Sequence, residues 1–327
     1  MARSAAPVAV VGSGVIGLSV ATLLAEAGHR TVVVRAEAPE ATTSRVAGAV
    51  WDSYLCAGPH VLEWATATYR HFEAVARDPH ARDAGVRLAP LNIVSRQPLE
   101  IPDWVQVAGG ANALPPEAPD WAAHGFSCPV PTVDTGRYLP YLARRVQDAG
   151  GTVIARRLAS LAELAAMAPG CSVVNCSGLG ARALAGDKSL RPVRGQVVVL
   201  ANPGITSTTI DWSEGVEPTY AITHPDTVVA GGCAQSDEWS LEADPPTTAS
   251  ILSRVSAMVP ALAGAEVLGV RVGLRPWRPE VRVELDATPP PGVQRVVHCY
   301  GHGGAGVTLS WGSATAAVAL LMDSSNT

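Results

Sequence analysis

None of the six cysteines (Cys56, Cys128, Cys171, Cys176, Cys233 and Cys299) falls in a C-x-x-C pair. That leaves zinc-ribbon and thioredoxin-like redox chemistry without ligands or a dithiol, and no metal is expected. A basic stripe is missing too. The 24 Lys and Arg stand against 29 Asp and Glu, a net charge of −5, so nucleic acid is not the expected partner. Charge is sparse at 16% while hydrophobic residues reach 47%, which excludes a disordered chain and allows a sizeable core. No repeat of solenoid length occurs. Cysteines scattered in this way suit a reducing compartment, and a cytoplasmic location is expected.

Two uncharged runs, Pro7 to Ala25 and Gly303 to Met322, have the length of a membrane span. Both carry glycines at motif positions and mix small polar residues with apolar ones, so a buried strand and helix are expected for each, and no membrane association. The tail from Asp323 to Thr327 does not read as a peroxisomal address. At roughly 100–200 residues per domain, the 327 residues correspond to two domains or one large one.

Val8 to Val11 is a continuous apolar run, as expected of a parallel strand covered on both faces. A turn from Gly12 to Gly17 follows, then a helix over Leu18 to Ala27 with Gly28 as its C-cap, then a β-branched strand at Thr31 to Val34. Together they make a βαβ unit. Ala38 to Val50 reads as a loop, and Trp51 to about Thr132 as a less regular, proline-rich stretch of a second domain. Helices are expected over Asp134 to Gly150, Leu158 to Met167, Thr247 to Val259 and Ser313 to Leu321. Short strands are expected at Thr152 to Ala155 and Ser172 to Cys176. Gly195 to Leu200 and Ala221 to Gly232 alternate like an antiparallel sheet. Val270 to Leu285 reads as two strands around Pro276 and Pro279, and Arg295 to Tyr300 as a last strand. The fold class is therefore α/β (α+β overall), with a Rossmann-like domain interleaved with a mixed antiparallel-sheet domain. The chain crosses between them more than once: 1–50, 134–185 and 292–327 in the first, 51–133 and 186–291 in the second.

Gly12, Gly14 and Gly17 fit G-x-G-x-x-G. The first permits the tight turn, the second lets backbone approach a pyrophosphate, and the third lets the helix pack close to the strand. The helix N-terminus offers free N–H groups to the phosphates. Glu37, about twenty residues after Gly17, stands where an acid accepts hydrogen bonds from ribose hydroxyls. The fingerprint specifies a dinucleotide and does not separate FAD from NAD.

Other stretches carry a resemblance. They are Thr42 to Trp51, Val174 to Ala181 followed by Arg191 to Gln196, Gly273 to Glu284, and His298 to Thr308 followed by Trp311 and Gly312. In this order, over nearly the whole chain, they resemble the D-amino-acid oxidase family of flavoenzymes. The run from His298 to Thr308 is the most specific, because glycine and sarcosine oxidases share only the N-terminal fingerprint. The resemblance implies FAD, held without a covalent bond since no Cys or His lies in a known attachment context. It assigns to the cofactor Gly12, Gly14, Val15, Ile16 and Gly17, with Ala36 and Glu37 after the second strand. From the loop come Thr42, Thr43, Ser44, Ala47, Gly48 and Ala49, from the middle of the chain Leu158, Ser177 and Gly178, and from the C-terminal loop Gly303, Gly304, Ala305, Gly306, Val307 and Thr308. Three glycines let that loop press against a flat ring, and the helix beginning there would stabilise negative charge on the reduced ring.

The implied reaction is oxidative deamination of a D-amino acid to a 2-oxo acid, with ammonia and hydrogen peroxide, by hydride transfer from Cα to the flavin N5, oxygen being the second substrate. Arg282 is the expected carboxylate anchor, since a guanidinium matches a carboxylate with two parallel hydrogen bonds. Arg275 and Arg278 read as surface or structural ion pairs. Tyr220 matches the family's carboxylate-binding tyrosine, and Tyr54 is a candidate for the pocket wall. Animal members carry a lid tyrosine where this chain has Val216. His302 reads as structural. The alternatives are a glycine- or sarcosine-type oxidase, an oxidase of acidic D-amino acids with His224 as its second cation, an oxidase of a specialised biosynthetic amino acid, and a non-catalytic flavin-binding subunit. A homodimer is admitted but not specified.

Overall fold

The computed structural model describes residues 6–323. The peroxisomal reading of the tail, and the outermost residues of the two terminal domain segments, lie outside the described residues. Among the described residues thirteen strands form one mixed sheet. In chain order they are β1 (Val8–Val11), β2 (Thr31–Arg35), β3 (Val86–Ser95), β4 (His124–Val133), β5 (Thr152–Ala155), β6 (Ser172–Asn175), β7 (Arg191–Ala201), β8 (Thr208–Asp211), β9 (Thr219–Thr223), β10 (Thr227–Gly231), β11 (Gln235–Ser236), β12 (Val267–Leu285) and β13 (Arg295–His302). Across the sheet the order is β4-β3-β8-β9-β10-β7-β12-β13-β6-β1-β2-β5, with β11 also paired to β7. The five strands from β13 to β5 are parallel. The remainder pair antiparallel, apart from the β3–β8 contact.

The expected βαβ unit is present. All four residues of β1 are buried, as an apolar run covered on both faces must be. The crossover helix spans Val15–Glu26, starting earlier than the apolar spacing suggested because Val15 and Ile16 belong to its first turn. Gly28 sits just past its end with φ +83°. The second uncharged run becomes strand end, glycine turn and the helix Gly306–Met322. Val307, Leu309, Trp311, Ala314, Ala317 and Leu321 of that helix are buried. Ala314, Ala317 and Leu321 pack with Val20, Ala21 and Leu24 of the first helix. Gly312 lies so close to the backbone of Trp64 that no side chain would fit. Among the described residues no helix is long and apolar enough to cross a membrane.

The stretch from Trp51 to Thr132 is more regular than its sequence suggests. It holds the helix Val61–Arg77 and the strands β3 and β4. The helix buries Trp64, Ala65, Thr68, Tyr69 and Phe72, a face of aromatic and small residues rather than the aliphatic stripe that betrays most helices. The prolines that argued against strands sit where a sheet tolerates them. β4 is an edge strand, and its Pro129 stands opposite Pro90 of β3, so the two missing N–H groups coincide. For the same reason Val270 to Leu285 is not two strands. β12 runs through, with Pro276 opposite Pro192 of β7, and its pairing to β13 shifts register between Trp277 and Arg282. Only Glu163–Met167 of the helix expected from Leu158 is helical. The residues before it form a turn in which the Glu163 carboxylate accepts from the N–H groups of Ala159 and Ser160.

Candidate active site

The carboxyl ends of β1, β2, β5 and β6 open on a cavity of about 1000 Å³ that continues beneath β8 and β9. Its volume is at the upper end of the ~300–1,000 Å³ usual for small-molecule sites. Gly12 and Gly14 line one end of it, with Val15, Ile16, Ala36, Glu37, Leu158, Ser177 and Gly178. Gly12 has φ +114°, and a Cβ there would come within 2.5 Å of the Cys176 carbonyl oxygen. The turn is thus pressed against the end of β6, which leaves its outer side open to the cavity. The Val15 N–H donates to Ser44 Oγ at 3.0 Å, and Glu37 pairs with Arg157 at 3.0 Å across the same wall. Gly17 is a correction to the cofactor assignment. It does not line the cavity; it packs on the Gly12 carbonyl, so its part is to let helix and turn touch.

Further along, Thr42, Thr43, Ser44, Ala47, Gly48 and Ala49 line the cavity together with Gly303, Gly304, Gly306, Val307 and Thr308. The two loops come from opposite ends of the chain. Thr43 Oγ1 donates to the Leu274 carbonyl of β12, which fixes the first loop. Gly303 has φ +54° and a side chain there would overlap the Leu55 carbonyl, while one on Gly304 would meet the ring of Tyr54. Ala305 is the second correction. It is fully buried, packed into the aromatic core around Trp51 and Trp104, and does not line the cavity. The helix N-terminus at Gly306 opens on the cavity as the sequence suggested.

Tyr54, Ile210, Asp211, Trp212, Val216, Thr219, Tyr220, Trp239, Leu241 and Arg275 form the far end. The arginine there is Arg275, not Arg282. Arg275 lies flat over Gly195 of β7, in space that any side chain at 195 would occupy. It donates through Nη1 to the Cys233 carbonyl at 3.0 Å, and its guanidinium carbon lies 5.5 Å over the Tyr54 ring. Tyr220 crosses Gly231 and Gly232, again space that exists because both lack side chains. Burial pushes the phenols of Tyr220 and Tyr54 up, and the Arg275 charge beside them pulls both back. Arg282 is seven residues further along β12, up to about 23 Å of extended chain. It donates to Glu284 at 2.6 Å and to the Tyr300 hydroxyl at 2.5 Å, and it does not line the cavity. Arg278 pairs with Asp187 at 2.9 Å, the structural pairing expected of it. Arg275 departs from that same expectation. The sequence signal that separates these arginines is Gly195 of β7, opposite Gly273 and beneath the Arg275 guanidinium, which becomes readable only once the register is known.

Val216 lines the cavity and is 42% exposed, so nothing at that position closes it. His224 does not line the cavity. It is buried against the Gly48 carbonyl, and burial holds its pKa below the ordinary value, so it supplies no second cation. His302 is buried and hydrogen-bonded to Ser313 Oγ at 3.0 Å, in keeping with a structural role.

One cavity residue had no signal in the sequence. Asp52 lines the cavity and is partly buried; desolvation raises its carboxyl pKa to about 6, opposed by a hydrogen bond from the Ser53 N–H. A carboxyl whose folded pKa is raised keeps a proton that the unfolded chain has lost, so stability falls as pH rises from the ordinary value of 3.8 to about 6 and the full cost remains above. Asp52→Asn is therefore expected to raise the urea midpoint at pH 8 and to raise it less at pH 5. An equal or reversed change at the two pH values would refute the assignment.

A profile of the FAD dependent oxidoreductase family matches residues 7–320. A D-amino-acid oxidase of Rubrobacter xylanophilus is 43% identical over 321 residues, covering 97% of this chain and 96% of the relative. A human D-aspartate oxidase is 35% identical, covering 97% and 95%. Among solved structures, glycine oxidase from Bacillus cereus superposes with a TM-score of 0.79 at 21% identity, over 97% of this chain and 94% of that one. This last likeness is one of fold.

Proposed function

The chain belongs to the FAD-dependent oxidoreductase family, and from that membership we propose that it oxidises neutral D-amino acids to 2-oxo acids, releasing ammonia and hydrogen peroxide. The single observation that carries the substrate class is Arg275 at the cavity's far end, with Tyr220 and Tyr54 around it and aromatic and aliphatic residues beyond. The cavity fits FAD. It has at one end a glycine turn pressed so closely on β6 that Gly12 has no room for a Cβ, and the start of a helix in its middle. The turn at Gly12 and Gly14 would hold the pyrophosphate, Glu37 the ribose, and the Gly303 to Thr308 loop the flavin ring. On this reading the segments 1–50, 134–185 and 292–327 serve the cofactor, and 51–133 and 186–291 the substrate.

When bound, FAD supplies the two-electron sink that receives the α-hydrogen and that oxygen restores. The protein's share is orientation. Arg275 has donors left beyond those used on backbone carbonyls, and a planar guanidinium holds a carboxylate in one plane. With that end fixed, the amino acid places one substituent of Cα toward the cofactor and the side chain toward Trp212 and Leu241. Holding the reacting atoms in place is worth much of the barrier in such chemistry. Arg275 is the one cation among the lining residues of this end, so a second carboxylate on the substrate would be buried unpaired, at substantial cost. That favours neutral over acidic D-amino acids.

A peroxide assay on the FAD-loaded protein tests this. It should give turnover with D-alanine and larger neutral D-amino acids, weaker turnover with D-aspartate, and none with the L-enantiomers. Preference for glycine or sarcosine, or peroxide from L-amino acids, would overturn it.

A further inference from the structure

Asp52 occupies an unusual position for a carboxylate. Its backbone is clamped by one side chain: Thr308 Oγ1 accepts from the Asp52 N–H at 3.1 Å and donates to the Asp52 carbonyl at 2.7 Å. Thr308 lies in the first turn of the C-terminal helix and itself lines the cavity. Asp52 is therefore pinned where the cofactor loop meets the substrate end. The groups that face its carboxyl are the Ser53 N–H, the Tyr54 phenol, and the thiols of Cys56 and, from β4, Cys128. None of them is a cation, and among the described residues Asp52 forms no ion pair. A partly buried carboxylate without a partner carries a desolvation cost, and the cavity it lines leaves room for the missing partner to arrive as a ligand.

The cavity wall already offers one cation. Arg275 lies over the face of Tyr54, and Asp52 precedes Tyr54 by two residues. One tyrosine is flanked by a positive and a negative group, and both groups line the same cavity. That arrangement complements a zwitterion: Arg275 for its carboxylate, Asp52 for its ammonium.

Taking the cavity as an amino-acid oxidase site, we propose that Asp52 is a catalytic residue that pairs with the substrate ammonium and takes one proton from it before the α-hydrogen leaves. The step is R–CH(NH3+)–COO− plus Asp52–COO− giving R–CH(NH2)–COO− plus Asp52–COOH. The nitrogen lone pair thus freed drives departure of the α-hydrogen with its electron pair, and the substrate becomes R–C(=NH2+)–COO−. FAD, when bound, would accept that pair and oxygen would restore it, and the proton on Asp52 returns to solvent. Burial suits the residue to this task. A carboxylate whose pKa is raised to about 6 is a stronger base than an exposed one and is still mostly ionised at neutral pH.

The test is anaerobic bleaching of the flavin by D-alanine, followed by stopped flow over a range of pH, on FAD-loaded wild type, Asp52→Asn and Asp52→Glu. Wild type should slow as pH falls through about 6. Asp52→Asn should bleach about 100-fold more slowly, the low end of general-base effects, and should lose that acidic limb. Asp52→Glu should recover to within about tenfold, since the carboxylate is restored. Propanoate, a carboxylate with no ammonium, should perturb the flavin spectrum of Asp52→Asn at the same or lower concentration than in wild type, because a repelling charge has gone. Three outcomes would overturn the proposal. The first is a wild-type rate and acidic limb in Asp52→Asn. The second is loss of FAD or equal weakening of propanoate and D-alanine, the mark of a structural role. The third is loss confined to D-lysine and D-arginine, the mark of side-chain selection. Wild type that no D-amino acid bleaches would instead defeat the reading of the site, and this proposal with it.

Discussion

Replacing Arg275 by alanine is expected to lower kcat/KM for D-amino acids by about 30-fold to 5,000-fold, the kinetic equivalent of the 2–5 kcal/mol lost when one partner of a buried charge pair is removed. Most of the effect should fall on KM, because the anchor holds the carboxylate before and during the reaction. Loss of orientation should lower kcat as well. Arg275→Lys should recover only part of the activity, since an ammonium is a point charge and cannot make two parallel hydrogen bonds. Arg282→Ala is the control. It removes the bonds to Glu284 and Tyr300 and should cost stability while leaving KM within about threefold, as expected for a change distant from the substrate. Steady-state peroxide kinetics on the three variants decide the matter. Near-normal KM in Arg275→Ala together with a raised KM in Arg282→Ala would restore the assignment that the sequence suggested.

Gly12→Ala should give a folded protein that does not retain FAD. Two effects act at this position. With φ at +114° an L-residue is strained by ~1–3 kcal/mol. The added Cβ would also lie 2.5 Å from the Cys176 carbonyl oxygen, which is backbone at the end of β6 and has little room to give. The relief available is to lift the turn off β6 and into the cavity, toward the surface that receives the pyrophosphate. Gly28→Ala separates these effects. Gly28 also has positive φ, but an added Cβ would meet nothing within 4 Å, so the change should cost only about 1 kcal/mol and leave FAD bound. The measurement is the flavin-to-protein absorbance ratio after gel filtration, with circular dichroism to monitor the fold. Stoichiometric FAD in Gly12→Ala would show that the turn yields without disturbing the site.

The cofactor half was largely legible in the sequence because its signals are local. Gly12, Gly14 and the strand before them lie within a few residues of one another, and each is required by backbone geometry that sequence spacing reports. The substrate half was less so. Arg275, Arg278 and Arg282 share one motif and one strand, and what distinguishes them is the partner each meets: Gly195, Asp187, or Tyr300 with Glu284. Those partners lie up to 91 positions away in the chain. Asp52 is hidden more completely. It is clamped by a threonine 256 residues away, and the burial that gives its carboxyl its character is assembled from β4 and the C-terminal helix. The helix Val61–Arg77 and the strands β3 and β4 were obscured for a different reason: the helix buries aromatic and small residues in place of an aliphatic stripe, and Pro90 and Pro129, which face each other across the two strands, read as breakers in sequence.

β12 bonds to β7 through the stretch that holds Arg275 and to β13 at Trp277 and from Arg282 onward, and β13 ends in the glycine loop. The distance between Arg275 and the Gly303 to Gly306 loop is therefore set by ladder spacing in neighbouring strands, a quantity that single side-chain changes hardly alter. The pocket's outer wall, with Ile210 and Asp211 on β8 and Trp212 and Val216 on the connection after it, belongs to a different part of the sheet. On the proposed reading inheritance can rework the two independently: substitutions along the wall would retune which side chains are admitted, while the choice between mirror-image substrates would stay written in the backbone.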